Sequence, residues 1–388
     1  MTVLLFAPDG SIHSRRALAA VLAGSHQVTF VSTENPYPQG RRGFQFTQFP
    51  SSGFRFCRKV IGTKIARWFT DPLAVFRLKL LFRRVNPDVV HVCWVDHNAN
   101  LCVKAKLAPL IVSVWGSDIN NHFLPSHDAK ARERASETLA AAAVVIVDAA
   151  GMERKCAMLA GRSVPAEMLH LGVDTERFRP GYRAEAQAWR QKLGIPENAV
   201  VLVSMRALTP IYNHDLILEA FARLTHKVDI PVVLVFKVYN MWVPASDTEL
   251  RGRVERLGIS ASVRWLANIE FDALPEIYAL ADIVVNFPSM DSFPVTFAEA
   301  AACQRRVVSC RLPSYSGTFA EEYFEMVEPG DVSELSNALA RAVNQVTADR
   351  NGTAPSLTKA RECVEREFTE AHYSEGLDRV YARVRTMR

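Results

Sequence analysis

The chain has 388 residues, 49% hydrophobic and 22% charged, with a formal net charge of +5. Single cores rarely grow past roughly 250–300 residues, so this length favours two domains, and the composition is that of an ordinary soluble globular protein. No apolar run approaches the roughly 18–20 residues of a bilayer span, and "MTVLLFAPDG" lacks the basic lead of a signal peptide.

In chain order, "VLLFA" predicts a first strand, the loop "PDGSIHS" leads into a helix over Arg15–Ala23, and "HQVTFVS" predicts a second strand. Residues 41–84 then hold eleven Lys/Arg against one acidic residue, Asp71, a local +10 that leaves −5 on the rest of the chain. Aromatics such as Phe76 and Phe82 are interleaved with these charges. That mixture suits an anionic membrane surface. It suits equally a helical pair with core aromatics and solvated arginines, and a nucleic acid fits it poorly.

"PDVVHVCW", "PLIVSVWG", "AAVVIVDA" and "EMLHLGVD" continue as strands between helix-like runs. "TERFRPGYRAEAQ" interrupts the pattern with Pro, Gly and charge and is the candidate linker. A second series follows, with strands at "AVVLVSMRAL", "PVVLVFKV", "SVRWLAN", "DIVVNFPS", "RVVSC" and "EMVEPG", separated by helices such as "DLILEAFARL" and "VSELSNALARAV". "ARECVEREFTEAHYSEGLDRVYARV" reads as one long helical tail. The alternation predicts an α/β protein of two doubly wound parallel sheets. Seven cysteines, without a CxxC pair or a Cys/His metal spacing, predict reduced thiols in a cytoplasmic protein.

Open α/β sheets bind ligands outside the carboxyl ends of their strands. The informative loops are therefore residues 8–13, 94–98, 115–120, 206–214, 237–242 and 287–294. The last of these opens "FPSMDSFPVTFAEAAACQRR", in which Asp291 and Glu299 stand eight positions apart around Ser292, Phe293 and Pro294. Proline suits a first helical turn, and backbone N–H groups near Ser292 and Phe293 at a helix N-terminus form an anion site suited to a diphosphate. Glu299, about one and a half turns in, can accept from a sugar hydroxyl beside it. Alone, the pair reads equally as a capping loop aspartate and an exposed helical glutamate.

Asp291 and Glu299 resemble the E-x7-E motif of retaining glycosyltransferases, with "SFP" in the place of Gly-Phe-Gly or Gly-Phe-Pro. "LGVDTERFRP" looks like the "NGVDxxxFxP" segment of glycosyltransferase family 4, "SMRALTPIYNHDLILEAFARL" like its "GRLxxxKGxxxLLEAF", "PDGSIHSRRALAAVL" like its N-terminal loop and helix, and "SVWGSDI" like its "HGxD" loop. The resemblance covers nearly the whole chain. It implies a GT-B fold: an acceptor-binding Rossmann-like domain over 1–178, a nucleotide-sugar-binding domain over 179–365 facing it across a cleft, and a helix over 366–388 crossing back to the first domain.

Carried over by position, the resemblance gives Arg206 and the 292–294 backbone to the diphosphate, Glu299 to the nucleotide ribose and Asp291 to the donor sugar. Gly10, Ser11 and His13 would touch donor phosphate or acceptor. The lysine that normally follows the arginine has no match in "TPIYN", and Lys237 is its substitute from the next strand. Trp115 stands in the place of the family's histidine in "HGxD", which passes an acceptor role to Asp118. Asp96 and His97 are further acceptor contacts, His91 reads as a core residue, and Arg15 and Arg16 as surface residues. No DxD triplet occurs, so no metal is expected, and no other cofactor.

The implied activity is retaining transfer of a hexose from a UDP- or GDP-type sugar to a hydroxyl of a glycan or lipid-linked acceptor. The expected setting is bacterial-type cell-surface glycan synthesis (lipopolysaccharide, exopolysaccharide or glycolipid), on the inner face of the membrane through 41–84. A catalytically weak, glycosyltransferase-like binding subunit and a GT-B epimerase or phosphorylase are the alternatives.

Overall fold

The computed structural model describes residues 1–8, 11–32, 44–48, 63–125, 128–238, 244–267, 269–349 and 354–387. They form two compact units: residues 1–172 with 370–388, and residues 173–369. The sequence reading put these boundaries at 178/179 and 365/366.

The first unit runs β1 (Thr2–Ala7), α1 (Ile12–Ala23), β2 (Gln27–Ser32), β3 (Phe44–Gln48), α2 (Thr63–Val85), β4 (Val89–Cys93), α3 (His97–Lys104), β5 (Leu110–Ser113), α4 (Ser117–Asn120), α5 (Ala129–Ala141), β6 (Val144–Val147), α6 (Met152–Ala160) and β7 (Ala166–Met168). Its strands are parallel in the order β3-β2-β1-β4-β5-β6-β7. Strands such as "VVHVC" and "LIVS" are buried at every position, as expected where helices cover both faces of a sheet. One expectation changed locally. The first helix begins at Ile12, because the Ser11 hydroxyl accepts from the His13 N–H (3.2 Å) and caps it three residues earlier than the apolar pattern indicated. Among the described residues, the segment 41–84 holds the edge strand β3 and the helix α2; residues 41–43 and 49–62, on which the reading of a helical pair also rests, lie outside the described residues.

The second unit runs α7 (Arg183–Lys192), β8 (Val200–Ser204), α8 (His214–Leu224), β9 (Val232–Val238), α9 (Pro244–Arg256), β10 (Val263–Ala267), α10 (Leu274–Leu280), β11 (Ile283–Asn286), α11 (Val295–Ala302), β12 (Arg306–Cys310), α12 (Phe319–Tyr323), β13 (Glu325–Val327), α13 (Val332–Ala348) and α14 (Pro355–Glu367). Its parallel strands take the order β10-β9-β8-β11-β12-β13. In each sheet the order reverses once, between β1 and β4 and between β8 and β11, and these are the crevices where such sheets bind ligands. The candidate linker shortens, since α7 takes up Arg183 onward.

The tail is two helices, α14 and α15 (Glu370–Arg385), rather than one. The break has a local cause. Phe368 is buried against Phe293 and Phe319 in the second unit, its carbonyl accepts from the Val173 N–H (2.8 Å), and Thr369 bridges Val173. Beyond it, α15 belongs to the first unit and buries Tyr373, Leu377, Val380, Tyr381 and Val384 against α1 and β4. Gly376 lets Leu169 approach where any Cβ would collide with its side chain. His91, buried on β4, makes 2.7 Å hydrogen bonds to the Tyr381 hydroxyl and to Ser113 Oγ, which places it in the core as the sequence reading had it.

Candidate functional site

In the second unit the chain places Arg206 just after β8, Lys237 near the end of β9, and Asp291 in the loop after β11, at the carboxyl ends of three adjacent strands. The β8 and β11 loops are stitched together around them. Ser289 N donates to the Ile211 carbonyl (2.9 Å), and Asn213, in the left-handed conformation that starts α8, donates from its side-chain amide to the Phe287 carbonyl (3.0 Å).

Arg206 Nη2 lies 3.0 Å from both carboxylate oxygens of Asp291 and 2.5 Å from the Tyr212 hydroxyl, and its guanidinium sits 4.1 Å over the Tyr212 ring. Asp291 also accepts from the Tyr315 hydroxyl (3.3 Å) and from the Ser292 N–H (3.0 Å). Burial works against charge on the arginine, but Asp291 and the two tyrosines reverse this and hold it protonated above its ordinary range. The sequence reading gave Arg206 and Asp291 separate tasks; folding makes them one ion pair, because two opposite charges with little solvent access lower their cost by pairing. Among the described residues the hydrogen bonds and the ion pair of Arg206 run through Nη2.

The Ser292 N–H, expected to face a phosphate, is committed to Asp291, while the Ser292 hydroxyl is buried without a partner among the described residues. Pro294 stands at the N-cap of α11. Phe293 serves the core, with its ring against Phe297, Phe319 and Phe368. Glu299 is buried rather than exposed, and its Oε2 accepts a 2.5 Å hydrogen bond from Tyr278 on α10. Lys237 is buried as well; burial lowers its pKa to about 8 although Glu299 pulls it upward. The structure thus brings Arg206 and Asp291 into one cluster and Lys237 and Glu299 into electrostatic contact. Tyr212, Tyr315 and Tyr278 join them, and no spacing in the sequence pointed to any of the three.

In the first unit, Ser11 spends its hydroxyl on capping α1, and Gly10 lies outside the described residues. His13 sits in the first turn of α1 with its ring 5.5 Å from that of Trp115. Asp118, the expected acceptor residue, is buried and accepts 3.0 Å hydrogen bonds from the Val95 and Trp115 N–H groups. Burial pushes its carboxyl up to about 6 against the pull of those amides and of the Gly116 and Asp118 N–H groups. Its task is to hold the loops after β4 and β5 together. Asp96 caps α3 by accepting from the Ala99 N–H (2.9 Å), and His97 pairs with Asp71 of α2 (3.1 Å). Arg16, expected on the surface, is buried and donates to the Gly172 carbonyl (3.2 Å).

The family model "Glycosyl transferases group 1" matches residues 185–354, and "Glycosyl transferase 4-like" matches residues 2–147. A D-inositol 3-phosphate glycosyltransferase of Geodermatophilus obscurus is 34% identical over 36% of this chain and 31% of its own length. One from Catenulispora acidiphila is 27% identical over 68% of this chain and 66% of its own. The alignments thus span from about a third to about two thirds of these relatives. Among solved structures, sucrose-phosphate synthase from Thermosynechococcus elongatus superposes over the whole of both chains with a TM-score of 0.78 at 15% identity. Anabaena HepE in complex with UDP and glucose covers 99% of this chain and 100% of its own with a TM-score of 0.72 at 17% identity. The fold is therefore GT-B, built of two Rossmann-like domains, and the two halves of the chain match a 4-like and a group 1 glycosyltransferase family model.

Proposed function

We propose that the protein transfers a sugar from a nucleotide-diphosphate donor to a hydroxyl acceptor with retention of anomeric configuration. The observation that carries this reading is the poorly solvated Arg206–Asp291 pair at the β8/β11 switch point, with Lys237 on the neighbouring strand. Nε and Nη1 of Arg206 would receive the diphosphate and stabilise its developing charge as the leaving group, with Lys237 adding a second cation. Asp291 would hold the guanidinium and accept from donor-sugar hydroxyls, and Glu299 would meet the ribose. No metal is required in this scheme. The UDP bound to HepE supports a UDP-type donor, and the name D-inositol 3-phosphate glycosyltransferase makes a cyclic polyol an acceptor class to test beside lipid-linked glycans. UDP or GDP should raise the melting temperature, the matching sugar nucleotide should be slowly hydrolysed, and Asp291→Asn should lower turnover on the order of 100-fold. A product of inverted configuration would refute retention. Absence of nucleotide binding at millimolar concentration would favour the binding-subunit alternative.

The same reading extends to an anionic lipid surface as the place where acceptor is met. On α2, Ala74 and Leu78 are buried in the first unit's core, while Leu73 (48%), Phe76 (57%) and Leu80 (47%) are exposed. At about 100° per residue these three fall within roughly 60° of one another, flanked by exposed Arg77 and Arg84 on one side and Lys79 and Arg83 on the other. An apolar stripe between basic edges suits a bilayer interface. Among the described residues no helix is long and apolar enough to cross a membrane. Vesicles containing phosphatidylglycerol should sediment the protein, neutral vesicles should do so much less, and Phe76→Ser with Leu80→Ser should weaken the binding. Equal binding to both vesicle types would rule the surface out.

A further inference from the structure

Glu299 and Tyr278 form a polar pair in an apolar part of the second unit. Tyr278, on α10, is wholly buried, and Glu299, on α11, is 5% exposed. The Tyr278 hydroxyl donates to Glu299 Oε2 at 2.5 Å. The buried positions beside Glu299 on its own helix are Phe297, Ala298, Ala300, Ala301 and Ala302, all of them apolar. A carboxylate sunk among such residues loses its hydration, and a phenol proton restores part of that loss. Two apolar side chains of the same shape would fill the place at little or no cost in stability. The pair therefore points to a use beyond packing.

Both partners are held from several sides. The Phe178 ring stands edge-on to that of Tyr278, with centroids 5.8 Å apart at 75°. Trp189 of α7 donates from Nε1 to Glu276 Oε2 (2.8 Å) and so fastens α10, the helix that carries Tyr278. Arg361 of α14 donates to the carbonyls of Thr175 (3.3 Å), Phe178 (3.2 Å) and Ala302, the last residue of α11. One guanidinium thus ties the segment whose ring backs Tyr278 to the end of the helix that carries Glu299. Lys237, near the end of β9, adds an attractive charge from the sheet. A turn of the Glu299 side chain would break its hydrogen bond to a phenol that is packed too tightly to follow.

We infer that Tyr278 is a positioning residue, which by holding Oε2 of Glu299 sets the carboxylate in the orientation that receives the ribose hydroxyls of the donor nucleotide. This rests on the sugar-transfer reading, in which Glu299 meets the ribose. A carboxylate offers about four acceptor sites on its two oxygens, and a vicinal diol draws on two of them at once. The terminal torsion of a glutamate is broad when nothing restrains it. Tyr278 occupies one acceptor site and removes that freedom. Restraint of this kind raises affinity by lowering the entropy lost on binding, and a nucleotide without the hydroxyls gains nothing from it.

The test is equilibrium binding of UDP and GDP, and of their 2′,3′-dideoxy counterparts, to the full chain of the wild type, Tyr278→Phe, Glu299→Ala and the double variant. For the base that binds, the wild type should prefer the ribose form on the order of 100-fold, as two hydrogen bonds to a charged acceptor allow. Tyr278→Phe keeps the buried ring and removes only the hydroxyl. It should cut the preference about fivefold and leave the dideoxy affinity as in the wild type. Glu299→Ala should abolish the preference, and adding Tyr278→Phe to it should change nothing further. Equal losses for both nucleotide forms in Tyr278→Phe would reveal a role in packing alone and overturn the positioning. A wild type that binds both forms equally, or a preference that Tyr278→Phe leaves intact, would overturn it too, with the transfer reading still standing. Absence of all nucleotide binding by the wild type would remove the transfer reading and the positioning with it.

Discussion

Arg206 and Asp291 bring opposite charges to one poorly solvated point, with side chains only 14% and 11% exposed. Removing either partner leaves the other charge uncompensated, so Arg206→Met or Asp291→Leu alone should cost roughly 3–5 kcal/mol. The double substitution should cost clearly less than the sum, and urea unfolding of the four proteins measures the coupling. Additive costs would show that the pair is not the stabilising unit. Lys237 supplies a pH test. The unfolded side chain holds its proton to about 10.5 and the buried one releases it near 8, so this group adds stability as pH rises from 8 to 10.5. If the charged form meets a diphosphate, nucleotide affinity should be flat below pH 8 and fall above it. Lys237→Met should abolish that slope. A slope unchanged in the variant would take Lys237 out of the site. Both residues were visible in the sequence as cations in strand-end loops. Their neighbours Tyr212, Tyr315 and Tyr278 were not: Tyr315 and Tyr278 reach the site from other parts of the chain, and Tyr212, six residues past Arg206, is folded back onto it within its own loop.

At the scale of elements, α15 decides whether the first unit is complete. It packs against α1 and β4, and its polar fastenings include the His91–Tyr381 hydrogen bond, the Ser374 hydroxyl donating to the Ala20 carbonyl (2.7 Å) and the His26–Asp378 contact (2.7 Å). Burial lowers the His91 pKa to about 3, so the imidazole is neutral. The unfolded imidazole takes up a proton below about 6.5 and the folded one only near 3, so this group withdraws stability as pH falls through that window. Tyr381→Phe should cost about 1–3 kcal/mol by leaving a buried ring nitrogen with one partner fewer. Replacing His91 by Leu together with Tyr381→Phe should flatten the acid dependence of the melting temperature between pH 6.5 and 3. An unchanged pH profile would dismiss the fastening. The helical pattern of the tail was legible, and the break at Phe368 was not. What ends α14 there is a ring buried in the second unit and a one-residue bridge to Val173, both partners distant in sequence.

At the scale of the whole molecule, the amino-acid sequence by itself determined two parallel α/β sheets. Continuous buried runs such as "VVHVC" and "VVLVS" can be satisfied only between two helical layers. Its motifs also resemble, in their order, those of glycosyltransferase family 4, and the loops that carry them follow strands, which in such a sheet fall on one edge whatever the register. The tertiary structure alone decided how individual side chains are used. It joined Arg206 to Asp291, buried Glu299 against Tyr278, committed the Asp118 carboxylate to the Val95 and Trp115 amides, and gave α15 to the first unit. Periodicity reports which face of an element is buried and carries no information on what lies across from it. Pairing of charges such as Arg206 with Asp291 and tilting of rings such as Trp94 on Trp115 depend on contacts between residues tens of positions apart, and those distances exist only once the sheets have formed.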